Sequence, residues 1–357
     1  MFTIGVVRFS SLGDTVLVTP VLRALKSRYP EAQLSLMVKP AYAPVFFNNP
    51  HVDRTIEFDA QGRHRGLPGL YRFILEQRAD EYDLLLDLHG TLRSRLITLG
   101  LRARRKMRYR KHHWRRRAMV RFRSLALEPR HVVDLYGWPL RRLGIEMADR
   151  RPEIFLTPEE MEEARLTLKE NGYRSDGPLI GVHVGAGGRT KRWLPDYFRQ
   201  VVAAFHEREG RVVLFGAGDD EPFVETICQG LRSRPMVLTS LSLRQTMALI
   251  ERCAVLLCHD SGPMHLATAL NVPVVALFGP THPKLGFWPV GEENAVLTAE
   301  AACSPCSLHG TRPCSLERKI CLEEISPARV TEALRRVLDR EKEGADVAGG
   351  GSPLLPA

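Results

Sequence analysis

The chain has 357 residues, enough for two domains that each bury a core of their own. Hydrophobic residues make up 44% and charged residues 26%, an ordinary globular balance, and no apolar run approaches the roughly 18 residues of a membrane span. Lys and Arg number 51 against 41 Asp and Glu, so the formal charge of +10 calls for an anionic partner: nucleic acid, a phosphorylated glycolipid or a bilayer surface.

The opening residues, MFTIGVVRFSSLGD, lack a basic leader and turn polar too soon for a signal peptide, so they read as the first strand of a cytoplasmic protein. Residues 4–9 form that strand, and Ser10-Ser11-Leu12-Gly13-Asp14 is a polar turn. Val18, Val21, Leu22 and Leu25 then recur at helical spacing, with Pro20 bending that helix or confining it to its first turns. Residues 34–38 are the next strand. With one glycine, the first turn is not a G-x-G-x-x-G fingerprint, and neither NAD nor FAD is expected. Asp14 stands where the helix starts; position alone makes it an N-cap or first-turn carboxylate.

Residues 83–88 (DLLLDL) are a buried-type strand ending in His89-Gly90-Thr91. The segment 102–123 is crowded with Arg and Lys, including Arg115, Arg116 and Arg117, and interleaved with Tyr109, Trp114 and Phe122. Such a run is a solvated surface or faces an anion; the density of Arg favours the anion without naming it. A helix over 131–144 ends in glycine. Thr157-Pro158-Glu159-Glu160 is a capping box that opens another helix, which places a domain boundary near 155/156.

The second half, 156–340, repeats the α/β rhythm, and 341–357 reads as a disordered tail. After a strand at 179–184 comes the glycine-rich basic loop Gly185-Ala186-Gly187-Gly188-Arg189-Thr190-Lys191-Arg192-Trp193. Its glycines let backbone N–H groups close on phosphate oxygens, and Lys191, expected to be exposed in such a loop, supplies a point charge. It lacks the G-K-[ST] ending of an NTPase loop. The strand at 212–215 leads to Gly216-Ala217-Gly218-Asp219-Asp220-Glu221, where Asp219 suits a ribose hydroxyl or a solvated helix start equally well. Residues 255–258, 264–270 and 274–278 form a βαβ unit. In its turn Asp260 or Ser261 caps the helix, Gly262 lets a ligand approach and Pro263 suits the first turn, which makes an anion site or an ordinary capped turn. A helix from Ser326-Pro327 to about residue 340 closes the fold.

Of seven cysteines, Cys228, Cys253 and Cys258 sit in apolar contexts. Cys303, Cys306, Cys314 and Cys321 have the count for a structural zinc or cluster site, although the second pair is spaced too widely for a zinc ribbon; unliganded thiols are the other reading.

Four stretches in register resemble glycosyltransferase family nine, the ADP-heptose:lipopolysaccharide heptosyltransferases: R-F-S-S-L-G-D-T-V-L-V-T-P from Arg8, D-L-H-G from Asp87, G-A-G-G-R-T-K-R-W from Gly185, and D-S-G-P-M-H-L-A-T-A-L from Asp260 with F-G-P-T from Phe278. The resemblance covers about residues 1–335. It implies a GT-B fold: two Rossmann-like domains with parallel sheets facing a central cleft, residues 1–155 binding the acceptor and 156–340 the nucleotide sugar. It implies transfer of heptose, with inversion, from ADP-heptose to Kdo or heptose of the lipopolysaccharide inner core. The partner is then an anionic lipid A–core acceptor at the inner leaflet, and the enzyme is peripheral at the inner membrane. By the same resemblance Asp14 is the catalytic base; Ser10 and Ser11 of the first turn and Arg115, Arg116 and Arg117 of the basic segment are the residues expected at the acceptor. Lys191, Asp260, Ser261 and Gly262 match donor positions, His265 stands beside them as a contact or as a structural hydrogen-bonder, and Gly187, Gly188 and Asp219 are expected at the donor from their own loops. Thr281-His282-Pro283 departs from the Thr-Asp-Pro of many relatives, so no role is carried to the missing carboxylate. The chain offers no Asp-x-Asp motif, and no obligatory catalytic metal is expected. The other readings are a related glycosyltransferase with another nucleotide sugar and, outside the enzymes, a nucleic-acid-binding protein using the Arg-rich segment.

Overall fold

The computed structural model describes residues 1–123, 128–174, 177–206 and 211–349. The chain divides into two compact units. The first comprises Met1–Met119, Ser124–Pro158 and Lys284–Val290, and the second Val120–Arg123, Glu159–Pro283 and Gly291–Ala357.

The first unit is built on a parallel sheet of β1 (Thr3–Val7), β2 (Gln33–Val38), β3 (Arg54–Glu57), β4 (Glu81–Asp87) and β5 (Arg102–Arg108), in the order β3-β2-β1-β4-β5. The inner strands are apolar runs because helices cover both faces of a parallel sheet. Val7, Phe9, Leu85, Phe58 and Phe73 pack with Leu70 and Ile97 in the core beneath helices Gly66–Glu76 and Leu92–Gly100. β5 is different. Its sequence, RARRKMR, lies at the sheet edge, where only one side pairs and charged side chains discourage further strand addition. Pro20 does more than bend a helix: Leu12–Val16 ends, and Pro20 sits in the first turn of a new helix, Thr19–Arg28, where its missing N–H costs nothing. Residues 284–290 complete this unit from far along the chain. Val132 N–H donates to the Gly286 carbonyl at 2.9 Å, and His131 Nε2 lies 2.9 Å from the Trp288 carbonyl with the two rings edge to face.

The second unit holds a parallel sheet of β6 (Leu179–His183), β7 (Arg211–Phe215), β8 (Met236–Leu238), β9 (Val255–His259), β10 (Val274–Phe278) and β11 (Ala295–Thr298), ordered β11-β10-β9-β6-β7-β8. Its core gathers Trp193, Phe198, Phe205 and Leu257 with Leu334 of the last helix. That helix, Pro327–Gly349, continues through 341–349 of the segment expected as a tail; 350–357 lie outside the described residues. Both units are α/β with parallel sheets of the GT-B type. In each, strand order reverses at one point, between β1 and β4 and between β6 and β9. Loops at the carboxyl ends of strands leave a crevice at such a switch point.

Candidate active site

In the first unit the switch point is filled by charge. Arg8 follows β1 and is 3% exposed, with Nη1 donating to the Leu88 carbonyl at 2.6 Å after β4. Its Nη2 lies 2.7 Å from Asp14 Oδ2, and its guanidinium stands 4.9 Å from the Tyr136 ring centre. Tyr136 donates its hydroxyl to Asp14 Oδ1 at 2.5 Å, while Ser11 donates from Oγ at 2.9 Å and from its backbone N–H at 3.3 Å to Oδ2. Asp14 is therefore a first-turn carboxylate that reaches back to Ser11, and its side chain keeps 19% of its surface open. Burial pushes its carboxyl upward, but Arg8 first, then Tyr136 and Ser11, outweigh burial and hold it at about 2. Burial works against Arg8 as well, yet the Asp14 carboxylate holds its charge above the ordinary arginine value.

The surroundings are set by the same field. Burial, then Arg8 and Lys111, keep His89 neutral, down at about 3; burial raises Tyr109 to about 12. Burial and Arg8 also depress Lys111. Asp87 fixes the turn after β4 by accepting from His89 N–H, Gly90 N–H and Ser94 Oγ at 3.0, 2.8 and 3.0 Å. Of the residues expected at the acceptor, Ser11 reaches Asp14, and Ser10 is half-buried in the preceding turn. Arg115, Arg116 and Arg117 lie on helix His113–Phe122. Arg116 stacks on Phe287 at 4.7 Å and contributes to the field on Lys111. Arg115 is turned to the Glu128 carbonyl, and Arg117 is exposed.

In the second unit the loop after β6 is tied to the turn after β9. Lys191 Nζ donates to Asp260 Oδ2 at 2.8 Å and to its carbonyl at 2.6 Å. The two side chains are 11% and 13% exposed, which corrects the expectation of an exposed loop lysine: partnering an aspartate at the switch point draws it inward. An ammonium has three donors, so one remains for a further oxygen. Asp260 leads into helix Gly262–Ala269, with Ser261 at its N-cap; in the first turn Gly262 presents a backbone N–H, whereas Pro263 has none to offer. His265 is buried on that helix.

A Cβ on Gly187 would meet nothing within 4 Å, whereas one on Gly188 would come 2.2 Å from the Gly310 carbonyl. The loop is thereby pressed against residues 307–311, and Thr190 donates its hydroxyl to the same carbonyl. His259, at the end of β9, accepts the Trp193 N–H through Nε2 at 2.9 Å, so its proton sits on Nδ1, 3.2 Å from the Gly185 carbonyl. Burial keeps this imidazole neutral, down at about 3. Asp219 is exposed. Its neighbour Asp220 is buried, pairs with Arg192 and accepts the Ala217 N–H at 3.0 Å.

Cys303, Cys306, Cys314 and Cys321 share one region. Burial first, then Cys303 and Cys314, raise the Cys306 thiol; burial and the other three raise Cys321 to about 12. Among the described residues no three Cys, His, Asp or Glu side chains form a group placed to hold a metal ion. Sequence reasoning did not single out Arg8, Tyr136 and His89 on one side, nor Asp220 and His259 on the other. Arg8 and His89 lay inside recognised motifs. Tyr136 is 122 positions from Asp14, and no local signal links them.

Comparison with known proteins bears on the family and the fold. The family profile "Glycosyltransferase family 9 (heptosyltransferase)" matches residues 70–317. Lipooligosaccharide heptosyltransferase 2 of Campylobacter jejuni is 25% identical over 340 residues, covering 92% of this chain and 95% of that protein. Lipopolysaccharide heptosyltransferase 2 of Salmonella typhimurium is 28% identical over 293 residues, covering 77% and 82%. The crystal structure of a family 9 glycosyl transferase from Veillonella parvula superposes with a TM-score of 0.81 at 25% identity, covering 95% of this chain and 98% of that one. E. coli ADP-heptose lipopolysaccharide heptosyltransferase II superposes with a TM-score of 0.70 at 23% identity, covering 96% and 100%, which speaks for the fold alone. With more than half its length inside the family profile, the chain belongs to glycosyltransferase family 9 and is a glycosyltransferase.

Proposed function

We propose that the protein moves heptose, with inversion, from ADP-heptose to Kdo or heptose of the lipopolysaccharide inner core. The observation that carries this reading is Asp14: a partly open carboxylate, held ionised at a switch point, in a chain that matches heptosyltransferases along nearly its whole length. In an in-line displacement the acceptor hydroxyl becomes strongly acidic as its bond to the anomeric carbon forms. A carboxylate held at about 2 is a weak base at rest, but above pH 4 it is always in its accepting form, and it suits a proton that moves late. Arg8 favours the ionised carboxylate, so it keeps Asp14 in its accepting form and resists proton transfer until the acceptor oxygen has become strongly acidic.

Departure of the diphosphate needs positive potential. Lys191 with its remaining donor, and the backbone N–H groups at Ser261-Gly262, supply it in the second unit. In this reading Gly187 and Gly188 keep the loop low enough for phosphate to approach, and Asp219 meets hydroxyls of the nucleotide; its exposure after β7 supports that role. The acceptor's lipid A phosphates and Kdo carboxylates meet Lys111 and Arg116. In this reading metal is not required, because Lys191 and the helix start do its electrostatic work.

No helix among the described residues is long and apolar enough to cross a membrane. We place the enzyme in the cytoplasm, peripheral at the inner membrane, where a lipid-linked acceptor is exposed. A thermal-shift panel of ADP, UDP, GDP and CMP, followed by transfer assays with the best binder, tests the donor. ADP at a hundredfold excess over Kd adds about 2.7 kcal/mol. Stabilisation by UDP or GDP but not ADP would remove ADP-heptose and leave a family member that uses another nucleotide sugar.

A further inference from the structure

Helices Gly66–Glu76 and Leu92–Gly100 lie side by side on one face of the first sheet, close enough that a Cβ on Gly100 would meet Ile74. Their inner residues Leu70, Phe73 and Ile97 are core. Their outer faces are not wholly polar, as a solvated helix face would be. Leu67, Tyr71 and Leu75 recur every fourth residue along the first helix and are 74%, 62% and 42% exposed. Leu92, Leu96 and Leu99 follow at four- and then three-residue spacing along the second, at 73%, 38% and 73%. Together the two stripes put six large apolar side chains in solvent on adjacent helices, a patch of a kind that globular surfaces rarely leave open.

Charge surrounds the patch with one sign. Arg72, Arg93 and Arg95 are exposed between the stripes' residues, and Lys106 of the edge strand reaches the Leu99 carbonyl at 3.1 Å. The carboxylate of Glu76 is matched by Arg63, and Glu81 by Arg102. Long aliphatic stems with cationic tips beside exposed leucines suit an interface where apolar groups enter acyl chains and the tips meet phosphates.

We infer that the exposed face of helices Gly66–Glu76 and Leu92–Gly100 docks the enzyme onto an anionic lipid bilayer. This rests on the reading that the acceptor is lipid-linked, and it names the surface that brings the enzyme to it. The patch belongs to elements that carry none of the catalytic or donor-binding groups, so docking and chemistry are separable. Binding requires both halves of the patch: leucines without cations would not choose anionic lipid, and cations without leucines would hold only at low salt.

The test is co-sedimentation of the full-length protein with vesicles of phosphatidylglycerol and phosphatidylethanolamine, against vesicles of phosphatidylcholine alone. The expected result is binding to the anionic vesicles at least about tenfold tighter than to the neutral ones. The double variants Leu92→Ser/Leu99→Ser and Arg93→Glu/Arg95→Glu should each lose about tenfold or more in vesicle affinity, with unchanged thermal midpoint and unchanged transfer to an acyl-free acceptor. Absence of vesicle binding by the wild type, or wild-type binding by both folded variants, overturns the inference. So does a wild-type dimer that both variants convert to monomer, because a second copy would then cover the face. If the wild type fails to transfer heptose to the acyl-free acceptor, the functional reading falls while the vesicle result stands by itself.

Discussion

Replacing Asp14 by Asn keeps the shape of the side chain and removes its charge, and the consequences divide into two measurable parts. The first is structural. Arg8 is 3% exposed, and its counter-charge disappears, leaving a buried guanidinium beside an amide. Removing one member of a buried pair costs about 3–5 kcal/mol, and in a unit of this size each kcal/mol moves the melting midpoint by about 2–4 °C. A fall of about 6–20 °C is therefore expected, with the protein still folded at 25 °C. The second part is chemical. Without a proton acceptor, turnover should fall about 10²–10⁴-fold at saturating donor. The double variant Arg8→Met/Asp14→Asn separates the two. Taking away both charges removes the unpaired guanidinium, so the midpoint should recover in part, whereas turnover should stay low. The assay is release of nucleoside diphosphate with acceptor present and absent, alongside a thermal melt of each variant. A double variant that melts near the wild type and transfers near the wild-type rate would reduce Asp14 to a structural carboxylate and leave the base unidentified.

The remaining expectations concern pH, the diphosphate and metal. Because Asp14 is lowered from 3.8 to about 2, its contribution of roughly 2 kcal/mol is fully present above pH 4 and lost as pH falls towards 2; the stability gap between wild type and Asp14→Asn should shrink over that window in urea titrations. A constant gap from pH 6 to pH 2 would contradict the ion-pair account. Lys191→Ala should weaken ADP binding by about 10- to 150-fold and, since it also strands Asp260, lower the melting midpoint; calorimetry showing unchanged ADP affinity would place Lys191 outside the donor site. Tyr136→Phe removes the 2.5 Å hydrogen bond to Asp14 and should cost about 1–3 kcal/mol while leaving ADP affinity unchanged; weakened ADP binding would mean that this tyrosine serves the donor. Transfer should persist in excess EDTA, and protein purified without a chelating column should carry far less than one metal per chain. A stoichiometry near one that is lost in Cys303→Ser would make the four-cysteine region a metal site.

The inner strands and the loops after them were readable because a parallel sheet needs apolar runs and its switch points need small or polar turns. Gly185–Trp193 and Asp260–Gly262 announced themselves in this way. β5 did not. RARRKMR is an edge strand whose side chains remain in solvent, and in sequence it merges with the basic helix that follows. The distinction between Asp219 and Asp220 was also hidden. Two adjacent carboxylates look alike in sequence, and only the position of Arg192, 28 residues earlier, decides which one turns inward. The ion pair at Asp14 was half readable: Arg8 and Asp14 share one motif, but Tyr136 comes from a helix whose apolar periodicity marks it as core packing. Lys191 was misjudged because glycine-rich loops are usually open, and the aspartate that draws it inward lies 69 residues away.

The return of residues 284–290 to the first unit bears on how the chain can be cut and how it is made. A fragment ending at Pro158 contains all five strands of its sheet, yet His131 and Val132 would lack the carbonyls of Trp288 and Gly286. Expressed alone, such a fragment exposes one end of the helix Val132–Arg141, the same helix that carries Tyr136 to Asp14. During synthesis the same gap is a delay. The partner of His131 is 157 residues downstream, which at about 5–20 residues per second is roughly 8–30 s of elongation. The carboxylate pocket of the first unit therefore reaches its final form only after most of the second sheet has left the ribosome.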